Sequence, residues 1–362
     1  MLILNPHLSD CLLWCVSSVN GVPSCANTFF LQTILRERFH FDEYAWVVSD
    51  CGAIEEIYTT HHYTATPEEA VAVALQAGVD QDCGPFYDAH GREAYAQGLI
   101  TDALLDKALT RQFGFLVKTG YFDDPASQPY RQYGINKVNS ARNQRAALTA
   151  ALQSIVLLKN LGVGGEVSHT LPISSDVKSI ALIGPNAGQQ SHSTTCSQYR
   201  HLRQHPLLTR ARPCCVCCAA VSETLLGNYE GPSPYIVTIL AALQSRSNRF
   251  TLQHVQGCDI AGNSTSGFKA AINAAQNADF TVFVGGLDQS QEAEGHDRTI
   301  IALPGQQLSL IQQLAKAAKQ PIAAVFLGGG QVDLSALKSD DNVGALLWAG
   351  YPGRTTHTLT IC

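Results

Sequence analysis

A chain of 362 residues has room for about two domains of usual size. With 45% apolar and 15% charged residues it can bury a sizeable core, and a net charge of −6 argues against nucleic acid or an anionic membrane surface as a partner. No apolar run reaches the roughly 18 residues that a spanning helix needs, so no membrane partner is expected either. Met1 to Val19 lacks a basic first segment and a small-residue cleavage site and carries Pro6, His7 and Asp10, so it does not read as a signal peptide.

In chain order, Ala45–Asp50 is a short apolar run ending in a polar residue, the pattern of a buried parallel strand. Thr66-Pro67-Glu68-Glu69 supplies a capping hydroxyl, a proline at the first helical position and an acidic residue three after the cap. Ala70, Val71, Ala74 and Leu75 follow at helical spacing, and Gly78 suits the stop. A second strand is predicted at Val79–Cys83, and helices at Ala89–Gln97 and Thr101–Val117. Strand, helix, strand, helix implies parallel β/α units. Gly120–Val138 has no apolar period and reads as a linker, with two α/β domains joined near residue 135. Beyond it, strands are predicted at Ile155–Leu158, Ser179–Ile183, Thr251–Val255, Phe280–Val284, Ile322–Leu327 and Val343–Trp348. Helices are predicted at Phe268–Gln276 and Gln306–Lys319, the latter with Leu308, Ile311, Leu314 and Ala318 on one face.

The twelve cysteines include five between Cys196 and Cys218, and the scatter of the rest suits an oxidising compartment with a few bridges. Asn263-Ser264-Thr265 is an N-glycosylation acceptor, which fits an extracellular protein. From Gln189 to Ser222 there are four arginines, no acidic residue and the run Cys214-Cys215-Val216-Cys217-Cys218. Adjacent cysteine pairs do not match the two-to-four-residue spacing of zinc ligands, and no suitably placed histidine follows, so no metal is expected there. His61-His62 reads as surface rather than as a metal site. Gly328-Gly329-Gly330 lacks the lysine and hydroxyl of a phosphate-binding loop and reads as a tight turn at a strand end. Gly-x-Ser-x-Gly is absent, which removes the commonest serine-hydrolase reading.

Two acidic features remain. Asp50 stands at the C-terminal end of a predicted strand among small neighbours, where a sugar ring can approach closely. Glu292-Ala293-Glu294-Gly295-His296-Asp297-Arg298 forms a polar loop after the strand Phe280–Val284, the place where α/β domains bind ligands. Hydrolysis of a glycosidic bond needs two carboxyls, one as nucleophile and one as acid. Position alone does not separate these roles from a helix cap, an ion pair or a solvated charged loop.

The ordered motifs are more specific than the positions. They are Val19–Asn27, Trp46–Ile54, Ala77-Gly78-Val79-Asp80 with Asp82-Cys83-Gly84, and Gly120-Tyr121-Phe122-Asp123. In the second half they are Val156–Asn160, Ala181–Pro185, Gly227–Pro232, Glu292–Arg298 and Gly328–Asp333. Together they resemble the β-xylosidase branch of glycoside hydrolase family three, from about Val19 to Gly353. The resemblance implies a retaining exo-glycosidase that needs no cofactor or metal and releases xylose from the non-reducing ends of xylo-oligosaccharides. It makes Asp50 the nucleophile and Glu294 the acid/base, with Glu292 as runner-up, the site lying in a cleft between two domains. α-L-Arabinofuranosidase and β-glucosidase activity are the rivals within the family. Cys51 and Cys83, both at predicted strand ends on one barrel rim, are expected to form a disulfide, and the parent enzyme is expected to be secreted.

The implied fold is α/β: the C-terminal portion of a (β/α)8 barrel over residues 1–124, a linker over 125–145, and an α/β sandwich domain over 146–353. Both domains are expected to be incomplete. The first part of the family's barrel, with its Lys-His pair and sugar-gripping arginine, is not in the chain, and Val16-Ser17 stands where the family has Tyr-Asn. Residues 189–222 interrupt the family pattern like an unspliced intron or shifted frame, and 354–362 depart from it, with no fibronectin-like domain following. A non-catalytic fragment is therefore the rival of a different class.

Overall fold

The computed structural model describes residues 11–14 (backbone alone), 17–41, 44–161, 169–188, 223–230, 236–246 and 248–353. The expected interruption at 189–222 and tail at 354–362 lie outside the described residues. The chain divides into two units, Met1–Ile135 and Asn136–Cys362.

In the first unit, strands β1 (Cys11–Trp14), β4 (Trp46–Cys51) and β5 (Gln81–Cys83) form a parallel sheet in the order β1-β4-β5. Between β1 and β4 lie the short antiparallel pair β2 (Ser18–Val19) and β3 (Val22–Pro23). Asn20 and Gly21 join them with φ of 53° and 80°, the two left-handed residues that a tight hairpin turn of this hand requires. A ten-residue π-type helix, Phe29–Arg38, buries Leu31 and Leu35. Helix α1 (Ala53–Thr59) follows β4 directly. Helix α2 (Pro67–Ala77) starts where the sequence says it should: the Thr66 hydroxyl accepts the Glu69 N–H at 3.1 Å, and Gly78 ends it at φ 109°. Helices α3 (Phe86–Ala96) and α4 (Asp102–Lys118) complete the β/α alternation. Their core gathers Leu31, Val47, Ile54, Ile57, Val71 and Val79.

The stretch expected as a linker is less plain than its composition. Residues 125–145 hold three short 3-10 turns, at Pro125–Ser127, Pro129–Gln132 and Ile135–Lys137, and the first turn of α5 (Ala141–Ser154). Only Ala151 of that helix is buried, so no apolar stripe marked it in the sequence.

The second unit is built on a six-stranded mixed sheet flanked by helices. Its strands are β6 (Val156–Asn160), β7 (Ser179–Ile183), β8 (Thr251–Val255), β9 (Phe280–Gly286), β10 (Ile322–Leu327) and β11 (Val343–Gly350). Their order is β6-β11-β10-β9-β7-β8, parallel throughout except for the edge strand β6, which runs antiparallel to β11. Besides α5, its described helices are α6 (Ile239–Gln244), α7 (Phe268–Asn277), α8 (Gln307–Ala317) and the single turn α9 (Ser335–Lys338). Every residue of β9 and β10 is buried, which is why both read as unbroken apolar runs. Alternate residues serve opposite faces. Val282, Val284, Ala323 and Val325 enter one core, while Phe283, Ala324 and Phe326 enter the other, with the two rings 6.3 Å apart. Gly286 ends β9 at φ 123°, and a Cβ there would collide with the backbone of Leu327. This close approach gathers the strand ends where the acidic loop departs.

On β8, His254 turns its Nε2 into a buried position that no described group satisfies. Burial holds its imidazole below the ordinary histidine value. The unfolded chain takes up this proton as pH falls through about 6.5, and the folded chain does so only at lower pH. The stabilisation is thus present above that value and lost on acidification below it. Denaturant unfolding at pH 7.5 and 5.5 should show a loss of no more than about 1.4 kcal/mol per pH unit from this group. His254→Leu should flatten that part of the slope; an unchanged slope would assign it elsewhere.

Candidate active site

Asp50 is the penultimate residue of β4, and its aim is set by an irregularity in the sheet. Val48 pairs with Gln81 and Cys51 with Cys83, so three steps along β4 match two along β5. The extra residue is a bulge, a device that re-aims side chains at sheet ends. Ser49 is fully buried; its hydroxyl donates to Asp82 Oδ1 at 3.2 Å and accepts the Cys83 N–H at 2.9 Å. Asp82 Oδ2 in turn accepts the N–H groups of Phe86 and Tyr87 at 2.9 and 3.2 Å, capping the donors left over in the first turn of α3. The Gly52 N–H donates to Cys83 O at 3.0 Å, and Cys51 and Cys83 are joined as a disulfide with their Cα atoms 4.3 Å apart. Within this braced pair of strand ends, the half-buried Asp50 carboxylate accepts, among the described residues, only the N–H of its neighbour Cys51, at 2.8 Å.

One turn below, Asp80 ties the same strands together. Its N–H donates to Val47 O at 2.8 Å, and its Oδ2 accepts the Val47 N–H at 3.0 Å. Arg111 reaches Oδ1 at 2.9 Å and Arg36 reaches Oδ2 at 3.3 Å. Burial pushes the Asp80 carboxyl up, opposed chiefly by Arg111 and the Val47 N–H. Burial and the neighbouring Arg111 bring the Arg36 guanidinium down to about 10. No local sequence pattern marks this cluster, since the arginines lie 44 and 31 residues from Asp80.

In the second unit the acidic loop folds as a small hairpin. Ala293 and His296 exchange backbone hydrogen bonds of 3.2 and 3.0 Å, and Gly295 takes φ 69° at the second central position. That conformation is why glycine must follow Glu294. Glu294 is exposed at the tip, and no described group pairs with its carboxylate. Glu292, two residues earlier, is fully engaged. Its Oε1 accepts the Gly329 N–H at 2.5 Å and the Tyr351 hydroxyl at 2.8 Å, and its Oε2 accepts the Gly330 N–H at 3.0 Å. Arg298 lies 3.9 Å from Oε2 and donates to Gln331 O and Ala302 O at 2.8 and 3.1 Å. Burial, with Glu292 beside it, pushes the Tyr351 phenol up. The triple glycine is thus a strand-end turn whose N–H groups cradle an internal carboxylate.

Neighbouring side chains fix the root of the loop. Asn186 donates to Leu287 O at 3.0 Å, and Gln289 donates to Gly227 O at 2.9 Å. The fully buried Gln307 spans Gly286 and Ile260, accepting the Gly286 N–H and donating to both carbonyl oxygens, each at 2.8 Å. Gln307 and Tyr351 escaped the sequence reading because a lone polar residue beside a helix start or strand end carries no pattern. Asn263 of the glycosylation acceptor is exposed.

The chain matches the family model described as "Glycosyl hydrolase family 3 C-terminal domain" over residues 155–361 and "Glycosyl hydrolase family 3 N terminal domain" over residues 9–112. It is 43% identical over 346 residues to the probable exo-1,4-beta-xylosidase xlnD of Neosartorya fischeri, covering 95% of this chain and 39% of that protein. It is 39% identical over 339 residues to the exo-1,4-beta-xylosidase xlnD of Emericella nidulans, covering 94% of this chain and 37% of that one. Among solved structures it is similar to a GH3 exo-beta-xylosidase (XlnD) in complex with a xylobiose aziridine activity-based probe, with a TM-score of 0.81 and 38% identity over 97% of this chain and 40% of that one. A beta-glucosidase involved in saponin metabolism from intestinal bacteria shares the fold, with a TM-score of 0.77 at 21% identity over 98% of this chain and 49% of that one. The chain therefore spans about 39% of the length of the curated relatives it matches.

Proposed function

The chain belongs to glycosyl hydrolase family 3, and from that premise we propose that it derives from an exo-acting retaining β-xylosidase that releases xylose from the non-reducing ends of xylo-oligosaccharides. The parallel sheet β1-β4-β5 with its helices is then the closing part of a (β/α)8 barrel, followed by the α/β sandwich domain. One observation carries the assignment of roles. Of the carboxylates at these strand ends, Asp82 and Glu292 are each bound by two backbone N–H groups or more. Among the described residues Asp50 holds only its neighbour's N–H, and Glu294 has no partner.

On this reading Asp50 attacks the anomeric carbon while Glu294, protonated, gives its proton to the departing oxygen. A covalent xylosyl-enzyme results. Glu294, now a carboxylate, takes a proton from water, and the water oxygen displaces Asp50 with net retention. The disulfide and the exposed Asn263 support a secreted glycoprotein as the parent.

Release of nitrophenol from aryl β-xyloside, α-L-arabinofuranoside and β-glucoside by the full chain tests the proposal. The xyloside should be cleaved best. Preference for either rival sugar would reassign the specificity, and no turnover of any of them would make the chain a non-catalytic portion. Glu294→Ala should slow xylosides with poor leaving groups far more than those with good ones, and added azide should restore part of the rate.

A further inference from the structure

We propose that Glu292 is the positioning residue for the general acid, its carboxylate docking the hairpin that presents Glu294 onto the turn after β10; this rests on the role given to Glu294 above. The hairpin begins one residue after Glu292 and ends two before Arg298. Both feet are held on one short segment: Glu292 takes the N–H groups of Gly329 and Gly330, and Arg298 donates to Gln331 O. Tyr351, just past β11, closes the dock with its hydroxyl on Glu292 Oε1. Between the feet, the hydrogen bonds that the hairpin makes among the described residues are those of Ala293 and His296 with each other. The direction of the tip is therefore inherited from Glu292 and Arg298, whose side chains are only 17% and 15% exposed.

The dock selects an anion of this reach. Two converging N–H groups and a phenol O–H supply donors alone, and the Arg298 guanidinium adds positive charge at 3.9 Å. Glutamine keeps one acceptor oxygen but turns an NH2 toward a donor, so it holds the turn less well. Alanine leaves the donors open and frees the hairpin foot. Glu292 belongs to neither hydrophobic core of the unit, so these changes should leave the sheet folded.

The test uses the full chain with Glu292→Ala, Glu292→Gln and Glu294→Ala, assayed on aryl xylosides of poor and good leaving-group ability. Glu292→Ala should lower kcat on the poor leaving group on the order of 10- to 100-fold, the scale of a misplaced catalytic group, with KM within about twofold. The good leaving group should be affected far less, Glu292→Gln should lie between, and azide should restore neither Glu292 variant. Amide exchange at Gly329 and Gly330 should rise in Glu292→Ala while the amides of β9 and β10 stay protected. Exchange that rises without a leaving-group effect would make Glu292 merely structural and overturn the inference. Azide rescue of Glu292→Ala and not of Glu294→Ala would make Glu292 itself the acid. No leaving-group effect in Glu294→Ala, or no turnover by the unaltered chain, would instead overturn the underlying reading.

Discussion

Asp50→Asn is expected to cut kcat/KM for aryl xylosides by on the order of 10⁴-fold or more, as loss of a covalent nucleophile does in other hydrolases, with little change in stability. The separation of the two effects follows from the local bonding. Ser49 and Cys51, on either side, carry the contacts that brace β4 against β5, whereas the Asp50 carboxylate accepts one N–H from its own neighbour. Asparagine is the same size and keeps an oxygen for that N–H, so the bulge and the disulfide have no reason to move. What it loses is the negative charge of the proposed nucleophile. A fluoro-sugar inactivator that accumulates the glycosyl-enzyme should label the peptide containing Asp50 in the unaltered chain and leave Asp50→Asn unlabelled. A label on another carboxylate would remove Asp50 from the nucleophile's role.

Strands Ser179–Ile183, Thr251–Val255 and Ile322–Leu327 were legible to the residue because each is an apolar or alternating run with glycine or a polar residue directly after it. Helix α2 was legible from its cap chemistry. The elements that escaped lack those marks. Phe29–Arg38 is a π-type helix whose wider turn does not follow the 3.6-residue period, and α1 starts on Gly52 at φ 81° and lasts seven residues. The antiparallel run of β6 was invisible for another reason: periodicity reports which face of a strand is buried, never which way it runs. The candidate site divides in the same way. Asp50 and Glu294 were marked by motifs contiguous in sequence, as were Cys51 and Cys83 by their place at strand ends. The bonding of Glu292, by contrast, involves partners that lie 37, 38 and 59 residues from it. Only the fold brings those together.

The largest stability effect should come from Asp80→Ala, which is expected to destabilise the first unit by about 3–5 kcal/mol, the cost of leaving buried charges without their partner. Arg36 and Arg111 converge on one carboxylate whose side chain is 2% exposed, and their own side chains are 11% and 9% exposed. Without Asp80 two guanidiniums face each other in a desolvated pocket, and the Val47 N–H loses its acceptor. Because Val47 is three residues before Asp50, the loss also loosens the strand that carries the proposed nucleophile. The cluster as a whole need not be stabilising, since burial raises the Asp80 carboxyl against the pull of both arginines. Two experiments separate these statements. In urea, Asp80→Ala should lower the midpoint of the transition that exposes the Val47 and Asp80 amides to exchange, with little change in slope. Combining it with Arg36→Met and Arg111→Met should recover most of the loss, because the replacements remove the stranded charges and fill similar volume. A loss below about 1 kcal/mol in Asp80→Ala would mean that water or rearranged side chains already solvate the arginines, and that Asp80 does not hold β4 to β5.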